Sequence, residues 1–334
     1  MAKSEKWKRV ETALSGGQPD RVPYAFWKHF PVIDKNPDEL VKATAEFHRK
    51  FEQDFVKVMF RSSFTTEDWG FRPNGYHPTA GNLLITDYVI KTPQDWRRLE
   101  LLDPTQGTLG EQLIVLRKLA KELDGDAPIL STVFSPSMIG LKLAGEEGLA
   151  EHLKADPEAV KAGLSAIAET VLKFGEATLK NGADGLFYAI QEPGRILTAG
   201  DGQPNLGDLF DRPVLEKLFP STGFFFLHAH GETIAFEEIV NYSYHALNWH
   251  DRGGGPSLKE ARRFTNKTLA GGLNNRETLP NGTPADVAAE VTDAVNQLEG
   301  RGLLLTPGCG FPVNAPEDNL LAVKETIQGR LALA

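Results

Sequence analysis

The run FFFLHAHGE, Phe224 to Glu232, ends an apolar stretch with His228 and His230 one residue apart. In extended backbone alternate side chains share a face, so both imidazoles point one way and Leu227 and Ala229 the other. The single cysteine, Cys309, ends a second apolar run, LLLTPGC, with glycine on either side. A third run, HALNWHD, puts Ala246, Asn248 and His250 on one face, with Asp251 following. Two imidazoles, a thiolate and a further nitrogen or carboxylate make the donor set of a tetrahedral zinc site. The expected metal ligands are therefore His228, His230, Cys309 and His250, with Asp251 as the alternative fourth. The competing reading is a rim of hydrogen-bonded histidines and a cysteine that is only a small buried hydrophobe.

These residues are far apart in the chain, so the ligand set needs a fold that gathers strand ends. Strand-like runs occur at 22–27, 54–59, 128–134, 185–190, 224–230, 245–251, 269–274 and 303–309. Between most of them lie stretches such as TPADVAAEVTDAVNQLEGRG, with apolar residues three and four apart behind acidic or Thr-Pro starts. Strand alternating with helix implies a parallel sheet. Eight strands would close an α/β (β/α)8 (TIM) barrel, which gathers its chemistry at the C-terminal strand ends. The expectation is one barrel domain over residues 1–334. Residues 70–100 break the alternation and read as a β-hairpin insertion after the second strand, either a lid or a surface ornament.

Composition limits the function classes. With 41% hydrophobic and 24% charged residues the chain can bury a large core. A net charge of −9 argues against nucleic acid or anionic membrane as the main partner. One cysteine excludes an intrachain disulfide framework. The first residues, MAKSEKWKRVETAL, read as an amphipathic helix without the apolar core of a signal peptide, and no run is long enough to span a membrane. A reducing cytoplasm is the expected compartment. The oligomeric state stays open.

Other strand ends supply candidates for a shared pocket. Tyr188 and Gln191, with Glu192, end the fourth strand and are candidate catalytic groups. Glu232 could orient an imidazole or act as a general base, or be a solvated loop charge. Asn248 and Asn274 end the sixth and seventh strands, and Lys57 and Arg61 lie on or after the second. The lysine and arginine suit an anionic substrate, or an ion pair with Asp54 or Glu67. The loops GDGQPN (200–205) and DRGGGP (251–256) lack the GxGxxG spacing of a dinucleotide site.

The segments LLLTPGCGFPVNAPEDNLLAVKE, NWHD, GGLNN, GGQPDRVP, DFVKVM, TEDWG and SPSMIG together resemble the uroporphyrinogen decarboxylase superfamily over nearly the whole chain. That superfamily implies a (β/α)8 barrel and holds both the decarboxylase and zinc-dependent alkyl-thiol methyltransferases of the corrinoid-to-coenzyme M type. The decarboxylase's arginine-rich motif is replaced by WKHFP, leaving Lys28 where the substrate-clamping arginine is expected. Its aspartate and tyrosine fall near Arg61 and Leu141, and Cys309 replaces its last-strand histidine. The methyltransferase branch implies a His-x-Cys and a later Cys as zinc ligands, which carries over to His228 and Cys309, with His230 in place of a cysteine. An imidazole there makes zinc more electrophilic than a second thiolate would.

The leading expectation is a zinc-dependent alkyl (methyl) transferase whose metal activates a thiol or similar nucleophile, acting on a small-molecule substrate; the resemblance implies an alkyl donor that is either a corrinoid carried by a partner protein or a free small molecule. The alternatives are a zinc-dependent hydrolase, lyase or demethylase on an oxygenated small molecule, and a metal-free decarboxylase-like enzyme. A barrel that binds a tetrapyrrole or corrinoid without turnover is the non-enzymatic reading.

Overall fold

The computed structural model describes residues 3–85, 87–191, 206–232 and 234–329. Seven strands pair in chain order into one parallel sheet: β1 Val56–Lys57, β2 Ile129–Phe134, β3 Gly185–Gln191, β4 Phe225–His230, β5 Ala246–Asn248, β6 Thr268–Leu273 and β7 Leu303–Pro307. The register sets Ala189 and Asn248 on either side of His228 and Gln191 beside His230. His228 and His230 are therefore flanked by side chains of the two neighbouring strands at the same level of the sheet.

The first expected strand, 22–27, forms only one parallel bridge, Tyr24 with Leu305. Its backbone nevertheless spans the two sheet edges. Leu305 N donates to Pro23 O at 2.9 Å, Ala25 N to Leu305 O at 3.2 Å, and Asp54 N to Tyr24 O at 2.9 Å. The ladder is cut short because Pro23 has no N–H and because the Gln53 side chain takes the Phe26 amide at 2.6 Å.

Residues 70–100 do not form the expected hairpin ladder. Tyr76 and Leu83 share a single antiparallel bridge around a turn closed by His77 N to Asn82 O at 2.8 Å. Side chains replace the ladder. His77 Nδ1 accepts the amides of Thr79 and Ala80, and Ser62 Oγ accepts that of Leu83 at 2.8 Å. The turn packs back over the strand ends, where Gly81 (φ 73°) lies so close to Val313 and His29 that a Cβ would clash.

The helices start where their caps predict. Asn36 accepts two amides of the helix Pro37–Phe51, and Thr283 forms a capping box with Asp286 ahead of Pro284–Gln297. The first of these buries Leu40, Val41, Thr44, Ala45, His48 and Phe51, the three- and four-residue spacing of one face.

Alternation along the strands produces two apolar clusters. Tyr24, Val56, Ile129, Tyr188, Phe225, Leu227 and Trp249 pack outward against the helices. Trp27, Phe55, Phe187, Phe224, Phe226 and Leu304 fill the space inside the sheet. Phe187 and Phe226 stack at 4.9 Å and 17°, with Trp27 edge-on to both. Each such ring contributes about 1.5–3 kcal/mol on burial. This aromatic floor supports the histidines, because Phe224, Phe226, His228 and His230 lie on the same face of one segment.

Candidate metal centre

β4 delivers His228 and His230 to the end of the aromatic floor, their ring centroids 5.7 Å apart. The turn after β7 brings Cys309 to them. Gly308 makes this approach possible, since a Cβ there would lie 3.0 Å from both His250 Cα and Trp249 O. Asn275 holds the turn from beyond, donating to Gly310 O at 3.1 Å. One donor atom each of His228, His230 and Cys309 then lie within 4.8 Å of one another. Cys309 Sγ is 3.4 Å from His230 Nδ1.

The polarity of the trio follows from its contacts. His228 Nδ1–H donates to Asn248 Oδ1 at 2.6 Å, leaving Nε2 with its lone pair free. Asn248 is fully buried and is held in turn by donating to Ala270 O, Thr306 Oγ1 and Pro307 O. Burial would push the Cys309 thiol up, but the charge and hydrogen bond of His230, with the other imidazoles close by, hold it well below the ordinary thiol range. Burial lowers His228. Burial also acts against His230, yet the Cys309 thiolate outweighs it and leaves that imidazole above its usual value. A soft thiolate and two imidazoles with one position open toward a cavity fit zinc. The buried Nε2 of His250, which has no hydrogen-bond partner, fits the same conclusion.

Beside the trio opens a cavity of about 410 Å³. Gln191, His29, Lys57 and Lys142 supply much of its polar lining, while Trp27, Met138, Phe134 and Phe187 supply apolar walls. Burial drives His29 down to about 3 and both lysines down to about 7. Ala80 and Asn82 of the 70–100 insertion also line it.

The family model described as uroporphyrinogen decarboxylase (URO-D) matches residues 6–330. The chain belongs to this family. It is similar to a methylated-thiol–coenzyme M methyltransferase of Methanosarcina mazei, with 24% identity over 239 residues. That alignment covers 71% of this chain and 63% of the relative, so the chain spans under two thirds of the relative's length. Among solved structures it shares its fold with a methyltransferase from Methanosarcina mazei, at a TM-score of 0.80 and 19% identity over 99% of this chain and 100% of the other. A more distant likeness, TM-score 0.56 at 13% identity, is to a B12-independent methionine synthase from Shewanella sp. W3-18-1, over 93% of this chain and 95% of the other.

Within this uroporphyrinogen decarboxylase-family chain the other expected site residues divide. Gln191 and Lys57 line the cavity. His250 sits beside the trio, its ring 5.6 Å from that of His230, but is not one of the three donors within 4.8 Å. Asp251 is turned away, because both carboxylate oxygens accept the Gly272 amide, at 3.1 and 3.0 Å. Asn248 lies beneath His228 instead of facing substrate.

Five more residues fall outside the cavity. Lys28 donates to Val313 O at 3.0 Å, because alternation turns Trp27 and His29 inward and Lys28 out. Arg61 is committed to Glu67 and Glu111. Tyr188 packs outward and donates to Asp211 O at 3.0 Å. Asn274 accepts the amides of Arg276 and Glu277. Glu232 is 78% exposed and pairs with Arg276 at 3.0 Å. Glu192 and the loop 200–205 lie outside the described residues. His29, Lys142 and Asn275 were not singled out from the sequence. For His29 the signal was available, since it is two residues from Trp27 and so shares its face.

Proposed function

We propose that the chain is an alkyl (methyl) transferase of the uroporphyrinogen decarboxylase family, built on a closed (β/α)8 barrel whose eighth position is the segment 22–27. His228, His230 and Cys309 hold a zinc ion in this reading. When bound, zinc supplies positive charge that keeps a substrate thiol deprotonated near neutral pH and so nucleophilic. The single observation that carries the reading is the convergence of three such donors, from two distant strand ends, on one cavity.

The protein's own residues do the rest. Asn248 fixes the tautomer and direction of His228. Gly308 lets the sulfur close on the imidazoles. The apolar walls exclude water from the reacting atoms, and Gln191, beside His230 in the register, offers an amide to substrate. The similarity to a methylated-thiol–coenzyme M methyltransferase supports a thiol as acceptor and a small-molecule substrate. The alkyl donor in this reading is a corrinoid carried by a partner protein. No helix among the described residues is long and apolar enough to cross a membrane, and a lone cysteine committed to the site fits a reducing compartment such as the cytoplasm. A second reading, demethylation or hydrolysis of an oxygenated substrate, draws on His230: an imidazole in place of a second thiolate favours an oxygen nucleophile or leaving group.

The test is metal content of the purified protein by mass spectrometry, beside His230→Ala and Cys309→Ala. Near-stoichiometric zinc, lost in each variant, supports the reading. A well-folded protein that takes up no zinc from added zinc salt refutes both the transferase and the hydrolytic forms.

A further inference from the structure

Two ammonium groups share the cavity with the trio, and neither has a carboxylate partner among the described residues. Lys57 projects inward from β1, its Nζ against the Met59 sulfur and 4.6 Å over the Phe187 ring. Lys142 reaches in from the helix Pro136–Ala144, its Nζ 2.7 Å from Ser62 O and 4.0 Å over the Phe134 ring. A ring face, a thioether and a carbonyl orient an ammonium group but do not neutralise it. Among the described residues no aspartate or glutamate lines the cavity, although the chain as a whole carries −9. His29 adds a buried Nδ1 with no partner.

Burying an unpaired ammonium group opposes folding, and lysine is almost never fully buried unless it is paired. Lys57 is buried and Lys142 partly buried, the two repel each other, and the anionic group among the described lining residues, the Cys309 thiolate, is already engaged by His230; the pair calls for a further anionic partner. We propose that Lys57 and Lys142 form an anion subsite, and that the cavity takes a small organic acid. Its carboxylate or sulfonate group is held by the two ammonium ions and His29. Its apolar body lies against Trp27, Met138 and the neighbouring rings, and its other end reaches the His228–His230–Cys309 trio. A cavity of about 410 Å³ suits a molecule of the size of a substituted benzoate or a short-chain acid. Burial brings both lysines down to about 7, a measure of how poorly the protein alone solvates their charge. An incoming anion would reverse that penalty. The subsite names the substrate class for the alkyl-transfer reading and rests on that reading only for the reacting end.

The test is calorimetric titration with benzoate, benzenesulfonate and the neutral benzamide. The proteins are wild type, Lys57→Met, Lys142→Met, Lys142→Arg and Cys309→Ala. The acids should bind wild type at least about tenfold more tightly than benzamide. Each Met variant should lose roughly tenfold to a hundredfold for the acids and nothing for benzamide, the scale of a hydrogen bond to a charged group. Lys142→Arg should retain part of the affinity. The Met variants remove buried unpaired charge, so their thermal midpoints should equal or exceed that of wild type. The ratio of the two acids tells which oxyanion the site prefers.

Equal binding of benzamide and benzoate, undiminished acid binding in both Met variants, or no acid binding at millimolar concentration would each overturn the proposal. Acid binding that persists in Cys309→Ala, with no zinc in wild type, would refute the transferase reading and leave the subsite standing. Zinc in wild type with a charge-indifferent cavity would do the reverse.

Discussion

Asn248 is the residue through which the metal reading can be tested most sharply without touching a donor atom. Its Oδ1 accepts the Nδ1–H of His228 at 2.6 Å, and its Nδ2 donates to Ala270 O, Thr306 Oγ1 and Pro307 O at 3.0, 3.3 and 3.2 Å. Asn248→Leu keeps the volume and removes all four bonds. Most of the cost comes from the stranded, fully buried Nδ1–H of His228, about 1–3 kcal/mol. His228 has one escape, which is to move the proton to Nε2. That tautomer turns the free lone pair toward β5 and away from the trio, so the nitrogen no longer serves as a ligand there. Loss of such an orienting partner lowers metal affinity by roughly 10–100-fold.

The assay is competition for zinc against a chromophoric chelator, with urea unfolding alongside to measure stability separately. The expected result is a folded variant that is destabilised by about 1–3 kcal/mol and that binds zinc at least about tenfold more weakly. An Asn248→Leu protein that folds and binds zinc as tightly as wild type would refute the assignment of His228 Nε2 as a ligand.

The remaining predictions separate the cavity from its surroundings. Tyr188→Phe should cost about 1 kcal/mol in unfolding free energy, through loss of the bond to Asp211 O, and leave zinc affinity unchanged; a fall in affinity would return Tyr188 to the site. Glu232→Gln removes an exposed pair with Arg276 and should shift stability by less than about 0.5 kcal/mol, with zinc affinity again unchanged. Burial raises the Asp34 carboxyl from 3.8 to about 6, against the hydrogen bond from Tyr76 at 2.6 Å. The folded protein then holds this proton more tightly than the unfolded chain. The group's contribution is fully present below about pH 4 and is lost as pH rises through about 6. Asp34→Asn keeps an acceptor for Tyr76, so its melting temperature should exceed that of wild type at pH 7 and converge with it near pH 4. A variant less stable than wild type at pH 7 would contradict this.

How much of this was legible depended on range. The alternation in FFFLHAH gave the shared face of His228 and His230 directly, because a two-residue period needs no tertiary information. Cys309 could join them only through closure of the sheet, and Gly308 is the local signal that permits it. The same alternation marks His29 and sets Lys28 outside, although the resemblance places a substrate-clamping arginine at the position of Lys28. Tyr188 lies one residue out of phase with Phe187, Ala189 and Gln191, and so faces helices. Asp251 was chemically plausible as a ligand. Its direction is set by the bare backbone at Gly271, where a Cβ would lie 2.6 Å from its Oδ1. Lys142 carried no signal at all. It sits on a helix after β2 and reaches the cavity by a long side chain, which no periodicity reveals. The hairpin expected in 70–100 failed for a related reason, since His77 and Ser62 satisfy its amides from the side and leave no ladder to form.

The charges around the site all act in one direction. In the zinc reading a thiolate and two neutral imidazoles would bring −1 to the ion, where the His-x-Cys of the methyltransferases the chain resembles would bring −2. His230 would then leave the centre one unit more positive than that pattern. Lys57 and Lys142 add positive charge in the same low-dielectric space, where a near charge outweighs a distant one. The surface carries the protein's negative excess, but water and salt screen it over about 8–10 Å. A neutral substrate would gain nothing from this arrangement. An acid that also carries the nucleophile would gain at both ends, with one negative group beside the lysines and a second developing at the metal. His230→Cys and Lys142→Met should accordingly weaken acid binding by different routes. Both should raise the pH at which a bound thiol loses its proton, the cysteine change more, because it acts at the metal ligands themselves.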